Sequence, residues 1–266
     1  MQASSDSRAA DAGALSGQVA LVCGSTGPIG QAIARALAVE GAAVALHYRS
    51  RDDIAGRLAS EIGPPAVAIG GQLETSSATQ AVFAAVAERL GRPPTIVVNA
   101  ASPSTMPTPT AMLDDDTVDA HLAGLRMHVN VCRAAIPGMR AAGGGRIVFV
   151  SGALASRLHP AFGLYSAAKA AATTFSRTLA LEEGAHGIRV NVVAPGRVVE
   201  STERPEGDDQ LPEHFAGLVQ VMRLRRALPD DPSPEDVAAL VTFLASPAAA
   251  AVTGQVVYLA AGEPIG

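Results

Sequence analysis

The strongest constraint on this chain is an alternation that begins at Gly17: a short, wholly apolar segment, a turn, then a segment with helical spacing, repeated many times. Val19–Cys23, Val44–Tyr48, Ala66–Ile69, Thr95–Asn99, Arg146–Ser151 and Arg189–Ala194 read as strands. Between them, Gln31–Glu40, Ala55–Ile62, Ala78–Leu90, Thr117–Met139 and Ser166–Glu183 read as helices. Strands that are apolar throughout, rather than alternating, are covered on both faces, which predicts a parallel sheet flanked by helices. Repeated right-handed βαβ units of this length predict an α/β fold with a doubly wound sheet.

No repeat, linker or composition break divides the 266 residues, so residues 17–266 read as a single domain, with 1–16 as a flexible tail. The polar, proline-rich interval 200–234 sits between a strand and a helix, as an inserted loop or lid on the substrate side would. Residues 1–16 lack a basic stretch followed by an apolar one and do not read as a signal peptide. No apolar run approaches the ~18 residues of a membrane span. A net charge of -5, with no basic cluster longer than Arg223–Arg226, excludes an electrostatic footprint for nucleic acid. Cys23 and Cys132 lie far apart in apolar contexts, which points to buried, reduced thiols and a cytoplasmic protein. No metal-ligand set is expected.

The first strand runs into Gly24-Ser25-Thr26-Gly27-Pro28-Ile29-Gly30, and a helix follows. Glycines there permit a tight turn and close backbone approach, while the helix N-terminus offers N–H donors and a positive dipole to a pyrophosphate. Pro28 suits the first helical turn but removes one N–H that a phosphate would use. At the end of the second strand stands His47-Tyr48-Arg49-Ser50, with no carboxylate until Asp52. An acidic residue there favours a free ribose 2′-hydroxyl, and an arginine accommodates a 2′-phosphate. NADP(H) is therefore the expected cofactor.

Three further segments complete a pattern: Val97-Val98-Asn99-Ala100-Ala101, Tyr165-Ser166-Ala167-Ala168-Lys169, and Ile188 through Gly196 ending in Ala194-Pro195-Gly196. In this order the four segments resemble the short-chain dehydrogenase/reductase family, from about Gly17 to Gly262. The resemblance implies a Rossmann-type fold and oxidation or reduction of a carbonyl or alcohol, or of an activated alkene, with NADP(H). It implies cofactor contacts from the turn residues Gly24, Ser25, Thr26, Pro28, Ile29 and Gly30, and from Arg49 and Ser50. Further contacts are implied at Gln72 and Leu73 on the adenine side, at Asn99, Ala100 and Ala101, and at Pro195, Gly196 and Val198 beside the nicotinamide. Tyr165 is the implied proton donor or acceptor, and Lys169 contacts the nicotinamide ribose. Tyr165 and Lys169 lie one helical turn apart and share a face, so the ammonium is expected to lower the phenol pKa. Family members are commonly homo-dimers or homo-tetramers through the helices after the fourth and fifth strands, and the run Ala167–Thr174 suits close helix packing.

The pattern also has gaps. The serine expected thirteen residues before the tyrosine falls on Gly152; Ser151 is adjacent, but one step along a strand reverses side-chain direction. The helix asparagine falls on Gly124 in one register and on His121 in another. His159, between Gly152 and Tyr165, and Ser102, beside the fourth strand, are candidates for a substitute catalytic donor, and Ser151 serves only if the strand end bulges or twists. Three readings follow: an NADP(H)-dependent oxidoreductase acting on a small organic molecule, a non-redox enzyme on the same scaffold performing dehydration, isomerisation or cyclisation, and a non-catalytic NADP(H)-binding protein.

Overall fold

The computed structural model describes residues 13–103, 106–199, 217, 221 and 224–263. Seven strands form one wholly parallel sheet: β1 (Val19–Cys23), β2 (Ala43–Tyr48), β3 (Val67–Gly70), β4 (Ile96–Asn99), β5 (Gly145–Val150), β6 (Ile188–Pro195) and β7 (Val256–Leu259). Their order is β3-β2-β1-β4-β5-β6-β7. The connecting α-helices that lie wholly within the described residues are α1 (Pro28–Val39), α2 (Asp52–Ile62), α3 (Ser76–Leu90), α4 (Asp115–Ala141), α5 (Gly163–Glu183) and α6 (Pro234–Ala245). The fold is the expected doubly wound, single-domain Rossmann-type sheet. Strand order reverses beside β1, where such sheets open a crevice at their carboxyl ends.

Side-chain alternation explains the two cores. Ala20 and Val22 of β1, Val44 and Leu46 of β2, and Val148 and Val150 of β5 pack against α1 and α6. Val19, Leu21 and Cys23 point the other way, with Val97 and Ile147, against α3, α4 and α5. Both faces are buried, so each strand reads as apolar at every position. Leu21, Leu46, Ile96 and Ile147 are fully buried, each stabilising the fold by about 1.5–3 kcal/mol. The helices begin where side chains cap them: Thr75 accepts from the Ala78 N–H, Asp114 from the Thr117 N–H, and Ser233 forms a reciprocal capping box with Asp236.

The start of the folded body differs from the expected tail of 1–16. Leu15 is buried in the α1 core, and its N–H donates to the Glu40 carbonyl at 2.8 Å. Residues 13–16 are therefore part of the domain, held by one apolar anchor that a polar neighbourhood disguises; residues 1–12 lie outside the described residues. Most of the expected lid, 200–234, also lies outside them. Its described end is anchored: Asp231 pairs with Arg197 at 2.5 Å and with Arg226 at 2.6 Å, and the Val199 N–H donates to the Pro232 carbonyl.

Candidate active site

The crevice at the carboxyl ends of β1, β2 and β4 is lined by Gly24, Thr26, Gly27, Tyr48, Arg49 and Ser50, and on its far side by Leu73, Ala100 and Ala101. Its floor exists because two glycines let main chains meet. A Cβ on Gly24, which has φ +79°, would lie 2.7 Å from the Ala101 nitrogen, and one on Gly30 would lie 2.2 Å from the Gly24 carbonyl oxygen. Gly27 caps α1, and Pro28, at the first turn, is exposed. The crevice is therefore a shallow cradle ending in a helix N-terminus, which fits a dinucleotide pyrophosphate.

Not every expected contact faces this cradle. Ser25 is buried, and both its N–H and its hydroxyl donate to the His47 carbonyl, at 3.1 and 3.0 Å, so its side chain braces β2. Asn99 is likewise occupied: its Oδ1 accepts from the Ala101 N–H at 3.2 Å and its amide nitrogen meets His128 Nδ1 at 3.0 Å. Gln72 is exposed beside the crevice, and the Leu73 carbonyl accepts from Thr79 and Asn130. Ile29 and Val198 pack on the α1 core. Pro195 ends β6, and the Gly196 N–H donates to the Leu259 carbonyl. Arg49 and Arg51 are both exposed at the β2 end, and Arg49 lies 3.8 Å from Glu74.

Tyr165 and Lys169 lie in the first two turns of α5 and face β5, as their spacing requires. Lys169 Nζ donates to the Val150 carbonyl at 3.1 Å and sits 5.0 Å from the centroid of Phe149, a cation–π arrangement. It is 5.9 Å from the Tyr165 centroid. Burial of the ammonium lowers the Lys169 pKa to about 8. The phenol does not show the expected depression: burial pushes the Tyr165 pKa up instead. The ammonium is directed at a carbonyl and a ring face, so desolvation governs the phenol.

Gly152 faces the phenol. Its backbone is extended, with φ -169° and ψ 146°, a conformation open to any residue. A Cβ there would nevertheless fall 2.5 Å from the Tyr165 hydroxyl oxygen. The phenol thus occupies the space a side chain at 152 would fill. Ser151 turns the other way, its Oγ 3.0 Å from the Thr173 hydroxyl in the α5 layer. His159 Nδ1 donates to the Pro160 carbonyl, and its ring touches Phe162, which packs edge-on against Tyr165. One ring, Phe162, therefore stands between His159 and the phenol. Gly124 and His121 both line a small cavity with Tyr165, Lys169 and Phe149, and His121 donates from Nδ1 to the Thr117 carbonyl.

Sequence reasoning missed His128. It is fully buried on α4, stacked on Phe149 at 4.1 Å, with Nε2 2.8 Å from the Ser176 hydroxyl. Burial, reinforced by Lys169, lowers its pKa to about 3, so the ring is neutral. Asn99 donates to Nδ1, Nε2–H donates to Ser176, and Ser176 donates to the Ala172 carbonyl. This chain backs the ring that carries Lys169. Only a histidine at a core spacing of α4 signals it.

A sequence model described as enoyl-(acyl carrier protein) reductase matches residues 24–263. The chain belongs to the short-chain dehydrogenase/reductase family. It is 32% identical over 255 residues to the human dehydrogenase/reductase SDR family member 4, covering 94% of this chain and 88% of that protein. It is 32% identical to an NADPH-dependent aldehyde reductase-like chloroplastic protein of Arabidopsis thaliana, covering 91% of this chain and 93% of that one. The crystal structure of a dehydrogenase/reductase from Sinorhizobium meliloti is similar with a TM-score of 0.82 at 33% identity, covering 94% of this chain and 96% of that one. These relatives make the chain a nicotinamide-dependent oxidoreductase by family.

Proposed function

We propose that this protein is an NADP(H)-dependent reductase or dehydrogenase for an activated carbonyl, its alcohol, or a conjugated alkene of a small organic molecule, using Tyr165 as its side-chain proton donor. The observation that carries this reading is the juxtaposition of Tyr165, Lys169 and Gly152 at one end of the dinucleotide cradle. When bound, the nicotinamide supplies or accepts the hydride. Tyr165 gives its hydroxyl proton to the oxygen that the reduced carbonyl leaves anionic, and Lys169 steadies the resulting phenolate with its charge. In the direction of oxidation, the phenolate takes the alcohol proton.

Gly152 brings no second donor, and Ser151 is held by Thr173. Removing one preorganised donor to a developing oxyanion costs about 2.7–4 kcal/mol, or about 100- to 1000-fold in rate. A substrate already polarised by a neighbouring electron-withdrawing group needs that donor least, which is why activation belongs in the proposal. Arg49 and the absence of a carboxylate at Tyr48 support the 2′-phosphate; Glu74 must release Arg49 for it. Cytoplasmic residence is supported by the two buried free thiols, and assembly into a homo-dimer or homo-tetramer by the small-residue face of α5.

The same missing donor favours a second reading, a non-redox step such as dehydration or isomerisation in which Tyr165 alone moves the proton. Tyr165→Phe tests the shared part of both. It removes one oxygen, so turnover should be lost while NADPH binds as before; a fully active Phe variant would place the chemistry elsewhere.

A further inference from the structure

A second wide cleft lies at the opposite end of the sheet, and the proposed reaction makes no use of it. It crosses the amino ends of β1, β4, β5 and β6, encloses about 420 Å3, and is lined by Gln18, Arg92, Thr95, Arg146, Arg189 and the glycine turn 143–145. Parallel pairing sets Arg146 directly opposite Arg189, so two cations project from neighbouring strands. No Asp or Glu is among the described residues that line it. In a chain of net charge -5, an uncompensated positive cleft is unexpected from composition.

The hydrogen bonds sharpen the picture. Arg189 donates to the carbonyls of Leu244, Ser246 and Val252 at 2.8 to 3.3 Å, which engages Nη1 and Nη2 without cancelling its charge. Burial and then the nearby Arg146 lower the Arg189 pKa. Gln18 Oε1 accepts from both Thr95 Oγ1, at 2.7 Å, and Arg146 Nη1, at 3.3 Å, so its acceptor is engaged and its amide N–H groups are not. Arg92 is exposed and makes no ion pair among the described residues. The uncommitted side-chain groups are thus the Arg92 guanidinium, the remainder of the Arg146 fork and the Gln18 amide, all donors.

We propose that this cleft binds a multiply charged oxyanion of the phosphate class, at a site separate from the dinucleotide cradle. Guanidinium forks match tetrahedral oxyanions in bidentate fashion, and a one-signed cleft with protein walls concentrates counter-ions. The shared chemistry is a phosphoryl dianion or pyrophosphate, free or carried on an organic molecule.

Isothermal titration of the full chain with pyrophosphate, inorganic phosphate and phenyl phosphate, at ionic strength held constant with chloride, tests this. Saturable binding is expected, weakened at least tenfold by Arg146→Gln and severalfold by Arg92→Gln, and unchanged in Arg49→Ala. Arg92→Gln, on an exposed turn, keeps the test valid if Arg146→Gln fails to fold. Pyrophosphate and phosphate binding without phenyl phosphate would assign a free-anion site, and binding of all three a phosphoester site. Absence of saturable binding, or binding kept in both Arg146→Gln and Arg92→Gln, would overturn the proposal, the latter by placing the anion elsewhere, as on the glycine turn of the dinucleotide cradle.

Discussion

Substituting Gly152 separates two roles that coincide at one position. A Cβ at 152 begins 2.5 Å from the Tyr165 hydroxyl oxygen, whereas ordinary contact begins near 3.4 Å. Gly152→Ala therefore forces the phenol back by about 0.9 Å, and a misplacement of about 1 Å is enough to cost about 100-fold in rate. The backbone itself is no obstacle, because φ -169° is extended. Alanine should fold with stability close to the parent and lose about 100-fold in kcat, with NADPH affinity unchanged. Gly152→Ser suffers the same displacement but adds a donor worth about 100- to 1000-fold, so it should exceed alanine by about two orders of magnitude on unactivated ketones. Ser151→Ala is the internal control. It loses one hydrogen bond to Thr173, about 0.5–1.5 kcal/mol of stability, and should keep activity within a few-fold. Steady-state kinetics beside thermal unfolding reads all three. Serine and alanine of equal activity, or a hundredfold loss in Ser151→Ala, would refute the reasoning about which residue faces the substrate oxygen.

Three further outcomes follow from charge. NADPH should raise the unfolding temperature more than NADH, and Arg49→Asp should reverse the order; ligand at 100 times its Kd adds about 2.7 kcal/mol, readily seen by thermal shift. Lys169 titrates near 8 in the folded protein, below its ordinary 10.5, so the unfolded chain holds the extra proton between those values. Stability should thus rise with pH from about 8 to 10.5, the penalty of about 3 kcal/mol being fully present below 8. Reductive kcat should fall above about pH 8 as the ammonium is lost, while Tyr165, pushed up by burial, stays protonated. A pH profile flat to 10 would contradict this.

The doubly wound sheet was legible because its strands are buried on both faces and carry unbroken apolar runs. The glycine turn was legible because Gly24 and Gly30 sit where main chains touch. The opposite directions of Ser151 and Gly152 follow from strand pleating, with Ser151 on Thr173 and Gly152 facing the Tyr165 hydroxyl. What the sequence could not show was competition within the fold. Ser25 and Asn99 read as cofactor contacts, yet the Ser25 hydroxyl is taken up by the His47 carbonyl and the Asn99 side chain by the Ala101 N–H and His128. The depressed phenol expected from the Tyr165 and Lys169 spacing ignored the Val150 carbonyl and the Phe149 ring, which hold the ammonium. Leu15 looked like tail because one apolar residue among small polar ones gives no periodicity.

The most direct measurement follows the hydride. NADPH deuterated at the transferring C4 position is incubated with the protein and a panel of activated carbonyls and conjugated alkenes, and the products are read by mass spectrometry. An oxidoreductase with Tyr165 as proton donor should place one deuterium on carbon for each NADPH oxidised, and Tyr165→Phe should place none. Turnover of substrate with no deuterium in the product and no NADPH consumed would contradict the redox reading and assign this scaffold a non-redox step.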